Sequence, residues 1–130
     1  MIRQQGITLI GAIFVLIIVS LLGQYLVNIA GVQRQSSLLA LQSARAYQSA
    51  NAGIEWNIAK VISTHSCPAS APISFTGLTG FTVTTTCKNL GSFDENGNIS
   101  TVYQLNATAQ FGSYGSADYV SRKLEVVIHD

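Results

Sequence analysis

Between Arg3 and Arg34 the chain carries no charged side chain, and most of that interval is aliphatic. An α-helix rises about 1.5 Å per residue, so the segment from Ile7 to about Val27 is roughly 32 Å long. That length matches a bilayer hydrocarbon core of about 30 Å. Leu9, Ile10, Ile13, Phe14, Val15, Leu16, Ile17, Ile18, Val19, Leu21 and Leu22 point in every direction around such a helix. The helix is therefore apolar all round rather than amphipathic, and its surroundings must be lipid or other apolar helices. Arg3, the one charge ahead of the run, favours a cytoplasmic leader, which places everything beyond Arg34 across the membrane.

Three kinds of segment have this composition. A cleaved secretory signal has an apolar core of about 7 to 15 residues ending in a small-x-small site, and this run is longer with no good Ala-x-Ala after it. A plain single-pass anchor and a processed filament-subunit precursor both fit the length. The junction separates them. A short polar leader bearing Arg3, a glycine at Gly6 and the run Ile7-Thr8-Leu9-Ile10-Gly11 behind it resemble the amino terminus of type IV pilins and their pseudopilin relatives. The resemblance implies that a prepilin peptidase cuts between Gly6 and Ile7, that Ile7 is then N-methylated, and that the apolar helix stays with the mature protein. It divides the chain into a leader, 1–6, a transmembrane and assembly helix, 7–33, and a globular domain, 34–130, that includes the second half of the helix.

Once the span is set aside, about 100 residues remain, enough for one small domain and not two. A net charge of +1 with no basic stripe gives no support to nucleic-acid binding. Cys67 and Cys87 both fall on the exported side, where a disulfide is the economical reading. The competing arrangement is a metal site built from His65, Cys67, Cys87 and His129, although these do not form paired ligand clusters.

From Arg34 to about Ile62 the helical pattern continues but becomes amphipathic. Ala40, Ala44, Tyr47, Asn51, Ile54, Ile58, Val61 and Ile62 recur at steps of three and four, with Gln35, Gln42, Arg45, Gln48, Ser49, Glu55 and Lys60 on the other face. No proline occurs before Pro68, so one long helix is expected, with Gly23, Gly31 and Gly53 as points of bending or local weakness. The stretch from Ser66 to Pro72 breaks it and leads into a loop. Phe81–Cys87, rich in β-branched residues, reads as the first strand. Asn96-Gly97 is a hairpin signal. Tyr103, Leu105, Ala107, Ala109 and Phe111 then alternate with polar residues, and Val120, Leu124, Val126 and Ile128 alternate again. Arg122 falls in that apolar register, which places it near a strand end or bulge. An antiparallel sheet of three or four strands with one apolar face requires a cover, and the second half of the helix supplies it. The expected fold is α+β.

Three further blocks extend the resemblance over nearly the whole chain: Ser43 through Trp56, Cys67-Pro68-Ala69-Ser70, and Val102-Tyr103 through Ala117-Asp118-Tyr119-Val120, with Gly53-Ile54-Glu55-Trp56 and Phe111 through Ser116 narrowing the choice. Together they resemble the MshP family of mannose-sensitive haemagglutinin (MSHA) pilus biogenesis, pilin-like minor components of a type IV pilus. That implies a bacterial inner-membrane protein with its carboxyl-terminal domain in the periplasm, later assembled into an extracellular pilus. The implied partners are other major and minor pilins, the prepilin peptidase, the inner-membrane assembly platform and membrane lipids. The chain departs from the family at Gly11, where most members carry a Glu thought to pair with the terminal amine of the neighbouring subunit. A subunit without it points, by analogy, to assembly initiation at or near the pilus tip. Pseudopilins of type II secretion, whose tip components can also lack the Glu, are the alternative within the class, and a membrane-anchored periplasmic ligand-binding domain is the alternative outside it.

No catalytic or cofactor motif is present: neither a Gly-x-Ser-x-Gly elbow, nor a phosphate-binding loop, nor a His-Glu-x-x-His helix. The expectation is a non-enzymatic protein without a cofactor. Asp94, Glu95, Asn96 and Asn98 offer oxygen ligands for Ca²⁺, but Gly97 is misplaced for an EF-hand and a hairpin turn accounts for the run. Asn98-Ile99-Ser100 and Asn106-Ala107-Thr108 match glycosylation sequons of low specificity.

Overall fold

A computed structural model describes residues 5–130, with side chains from Thr8 onward. A single helix, α1, runs Gln5–Thr64 and is followed by strands β1 (Ala71–Ile73), β2 (Phe81–Glu95), β3 (Asn98–Phe111) and β4 (Val120–His129). The strands form one antiparallel sheet in the order β1-β2-β3-β4. The architecture is α+β, a long amino-terminal helix packed on a four-stranded meander, as in a type IV pilin. The chain divides into two compact units, one through Leu38 and one from Leu39 to Asp130.

The helix ends where its chemistry does. His65 adopts a left-handed conformation, φ 49°, and its amide donates to the Val61 carbonyl at 2.7 Å. This is a single-residue αL cap, with Thr64 Oγ1 donating to the Lys60 carbonyl one turn back. Pro68 then forbids resumption of the helix. At the far end of the sheet, Asn96 and Gly97 both have positive φ and close a two-residue loop between Glu95 and Asn98. That is the turn type the Asn-Gly pair favours.

The face of α1 that meets the sheet differs from the one periodicity suggested. Ala46, Ser49, Ala50, Gly53, Ile54, Asn57 and Val61 are buried, whereas Tyr47 and Ile62 are 56% and 55% exposed, and Ala40, Ala44 and Asn51 are exposed as well. Of the expected stripe only Ile54, Val61 and the half-buried Ile58 turn inward, and Ser49, expected on the wet face, is fully buried. The reason is steric. Small side chains let the helix lie close on the sheet, so close that a Cβ at Gly53 would stand 2.6 Å from Val83 Cγ1 and 3.1 Å from Ala107 Cβ. Gly53 is thus a point of close approach rather than of weakness.

The polar members of this face donate to backbone carbonyls, while Asn57 Oδ1 is buried without a hydrogen-bond partner. Ser49 Oγ donates to its own helix at the Arg45 carbonyl, 2.9 Å, and Asn57 Nδ2 donates to the Thr86 carbonyl of β2, 3.2 Å, just past the last β1 pair, Ala71↔Thr85. The sheet side of the core follows the expected alternation: Phe81, Val83, Tyr103, Leu105, Ala107 and Ala109 are buried. The opposite face carries Thr82, Thr84, Gln104, Thr108 and Lys123.

Phe81–Cys87 is not the first strand. Ala71–Ile73, expected as loop, pairs with β2 through Pro72↔Thr84. Proline lacks a ladder donor, and an edge strand with no outer neighbour tolerates that. The β2–β3 hairpin also runs beyond the rest of the sheet, past a bulge at Leu90 between Asn89 and Gly91.

Candidate membrane anchor and assembly surfaces

Within the first unit every described side chain from Thr8 to Leu38 is exposed, including Leu9, Ile10, Phe14, Leu16, Leu21 and Leu22 at 57–71%. Exposed aliphatic surface of this extent is unfavourable in water at about 25 cal/mol per Å² and neutral in lipid. This is the one helix among the described residues long and apolar enough to cross a membrane.

Gly6 and Ile7 lie within the α1 backbone, and their side chains, like the leader residues Met1–Gln4, fall outside the described region. Gly11 sits in open space: a Cβ there would meet nothing within 4 Å, and the same holds for Gly23 and Gly31. Among the described residues no packing contact requires a glycine at position 11. Late in the apolar half, Ser20, Gly23, Gln24, Val27 and Asn28 line one shallow groove. Ser20 Oγ donates back to the Leu16 carbonyl at 2.7 Å, as hydroxyls do in helices surrounded by hydrocarbon.

In the second unit Cys67 and Cys87 are joined as a disulfide with Cα atoms 5.3 Å apart. The bridge ties the segment leaving the helix to the middle of β2. Both sulfurs are thereby withdrawn from the alternative metal arrangement. His65 Nδ1 instead lies 2.5 Å from Asp130 Oδ2, and no group of three or more His, Cys, Asp or Glu side chains gathers among the described residues. The acidic turn resolves as a hairpin: Asp94 Oδ1 accepts the Gly97 amide at 2.7 Å.

Two arrangements escaped the sequence reading. The first is a clamp at the carboxyl terminus. Tyr103 Oη, on a side chain only 3% exposed, donates to the His65 carbonyl at 2.9 Å, while Thr101 and Asp130 exchange both backbone hydrogen bonds. It joins the helix end, the middle of β3 and the last residue, and no local motif announces a contact between residues so distant in sequence. The second is a cleft between α1 and β4. Arg122 does lie near a strand end, as its register suggested, and its guanidinium reaches across to the Ser43 hydroxyl, with Nε at 3.0 Å and Nη2 at 2.6 Å. The register of β4 flagged Arg122; nothing flagged Ser43 as its partner. No protein-family model, curated protein or solved structure matches this chain.

Proposed function

We propose that this chain is a minor pilin-like subunit of a type IV pilus of the MSHA kind, acting in the initiation of assembly at or near the tip. It is made as a precursor, cut after Gly6, methylated at Ile7 and held in the inner membrane by the apolar half of α1 until it is assembled. Its role is structural rather than enzymatic, and its partners are other major and minor pilins, the prepilin peptidase and the assembly platform.

The observation that carries this reading is the division of labour along one uninterrupted helix. Its first half is apolar on every side and exposed along its described side chains, and its second half is the cover of a small disulfide-bearing meander. A plain anchor has no need to continue, without a break, into the core of the domain it tethers. Apolar helices gain little hydrophobic free energy on leaving lipid for a bundle of similar helices, so packing and polar groups must direct assembly. In that setting the vacant position at Gly11 favours a subunit that receives a successor without seeking a predecessor.

The test is amino-terminal analysis of the protein from cells with and without prepilin peptidase. The expected result is a methylated Ile7 terminus in the first and an intact Met1 leader in the second. An uncut terminus in both would refute precursor processing and leave a simple anchored domain.

A further inference from the structure

We propose that the cleft between α1 and β4 around Arg122 is a carboxylate-binding site that receives an acidic side chain of a partner protein. Arg122 occupies a position in β4 whose alternate neighbours, Val120, Leu124, Val126 and Ile128, form the strand's half-buried face. An aliphatic residue there would extend that face, and a guanidinium forgoes the gain. The guanidinium is nonetheless held in place, donating from Nε and Nη2 to the same Ser43 oxygen.

Ser43 positions the charge without neutralising it. Among the described residues no carboxylate lies within ion-pair distance of Arg122. Most of the chain's own acids are engaged elsewhere: Glu55 with Asn51, Glu125 with Gln104 and Lys123, Asp130 with His65, and Asp94 with the Gly97 amide. Among the described residues three of the five guanidinium N–H donors have no acceptor, and the Ser43 hydroxyl, which accepts both contacts, keeps its proton to donate. Tyr47, one turn after Ser43 on α1, lines the cleft and its hydroxyl makes no hydrogen bond among the described residues, and Ala40, Ala44 and Leu124 complete the walls of a cleft of about 490 Å³. A fixed planar fork is the group best matched to a two-oxygen anion, and the alanine and leucine walls suit the methylene stem of Asp or Glu.

Charge balance favours a carboxylate over a phosphate. Lys123, at the rim, has its Nζ 3.8 Å from Glu125 Oε2 and is compensated by it, so the cleft presents one uncompensated positive charge, that of Arg122. That suits a monoanion and opposes a dianion. The site goes beyond the filament reading and its binding chemistry does not depend on it.

Two measurements test the proposal on the full-length chain. In neutral detergent micelles, titration of the parent chain with butyrate should shift the Arg122 Nε–Hε resonance saturably. Read instead at the backbone amides of Ser43 and Leu124, which every variant keeps, the apparent affinity for butyrate should weaken by about five-fold or more in Arg122→Lys, which keeps the charge and loses the fork, and saturable binding should vanish in Arg122→Gln. Methyl phosphate should bind more weakly than butyrate. In cells, a benzophenone residue in place of Tyr47 should crosslink to a protein segment bearing Asp or Glu, and Arg122→Glu should abolish the crosslink until that acid is changed to Arg. The absence of a saturable butyrate shift, tighter binding of methyl phosphate, or crosslinks to lipid alone would each overturn the proposal.

Discussion

Replacing Gly53 by alanine tests whether close approach, rather than helix propensity, governs the second half of α1. In an exposed helix interior this change stabilises by about 1 kcal/mol, because glycine is the more costly residue to order. At Gly53 the new methyl would stand 2.6 Å from Val83 Cγ1, 3.1 Å from Ala107 Cβ and 3.4 Å from Thr85 Cγ2. Ordinary carbon contacts begin near the last of these values. Val83 is 1% exposed and stiff at χ1, and Ala107 Cβ is fixed to the β3 backbone, so relief requires the helix to lift from the sheet. Overpacking of a well-filled core costs about 1 to 3 kcal/mol, which exceeds the propensity gain over most of that range. The expected net loss is about 1 kcal/mol, a fall of about 4–8 °C in the thermal midpoint of a domain this size. Near-UV circular dichroism of the full-length chain in detergent follows it through Trp56 and Tyr103. Gly31→Ala, with nothing within 4 Å, is the control and should leave that midpoint unchanged or raise it. A Gly53→Ala midpoint equal to or above that of the parent would refute the reasoning.

Reduction of Cys67–Cys87, or Cys67→Ser, should destabilise the globular unit by about 3 kcal/mol on loop-closure entropy, read as a lower thermal midpoint, and non-reducing peptide mapping should recover the two cysteines joined. Tyr103→Phe should cost about 1 kcal/mol in denaturant unfolding, since it strips the His65 carbonyl of its donor in a region Tyr103 itself buries. Gold labelling of assembled pili with an antibody to the globular unit should mark filament ends, and label distributed along the shaft would refute the tip assignment.

What was legible in the sequence was what periodicity and local turn chemistry can encode. The apolar run declared a helix by length alone, Asn96-Gly97 declared its hairpin, and the alternation from Tyr103 to Ala109 declared which side of β3 is buried. Steps of three and four did not fix the rotational phase of the helix, because this interface is built from small residues, whose burial the periodicity of large side chains does not mark. Ala46, Ser49, Ala50 and Gly53 carry little hydrophobicity, so Tyr47 and Ile62 drew the stripe toward solvent. The short strand β1 was hidden by Pro72, whose missing donor matters only if the outer edge is paired, a fact of topology rather than of local sequence. Arg122 shows the opposite case. Its charge in an apolar register was visible from the start as a local inconsistency, and such inconsistencies concentrate where a protein serves something other than its own stability. The Ser43 contact gives that inconsistency a geometry: a charge held in place and left unneutralised within the described chain is poised for an anion from outside it.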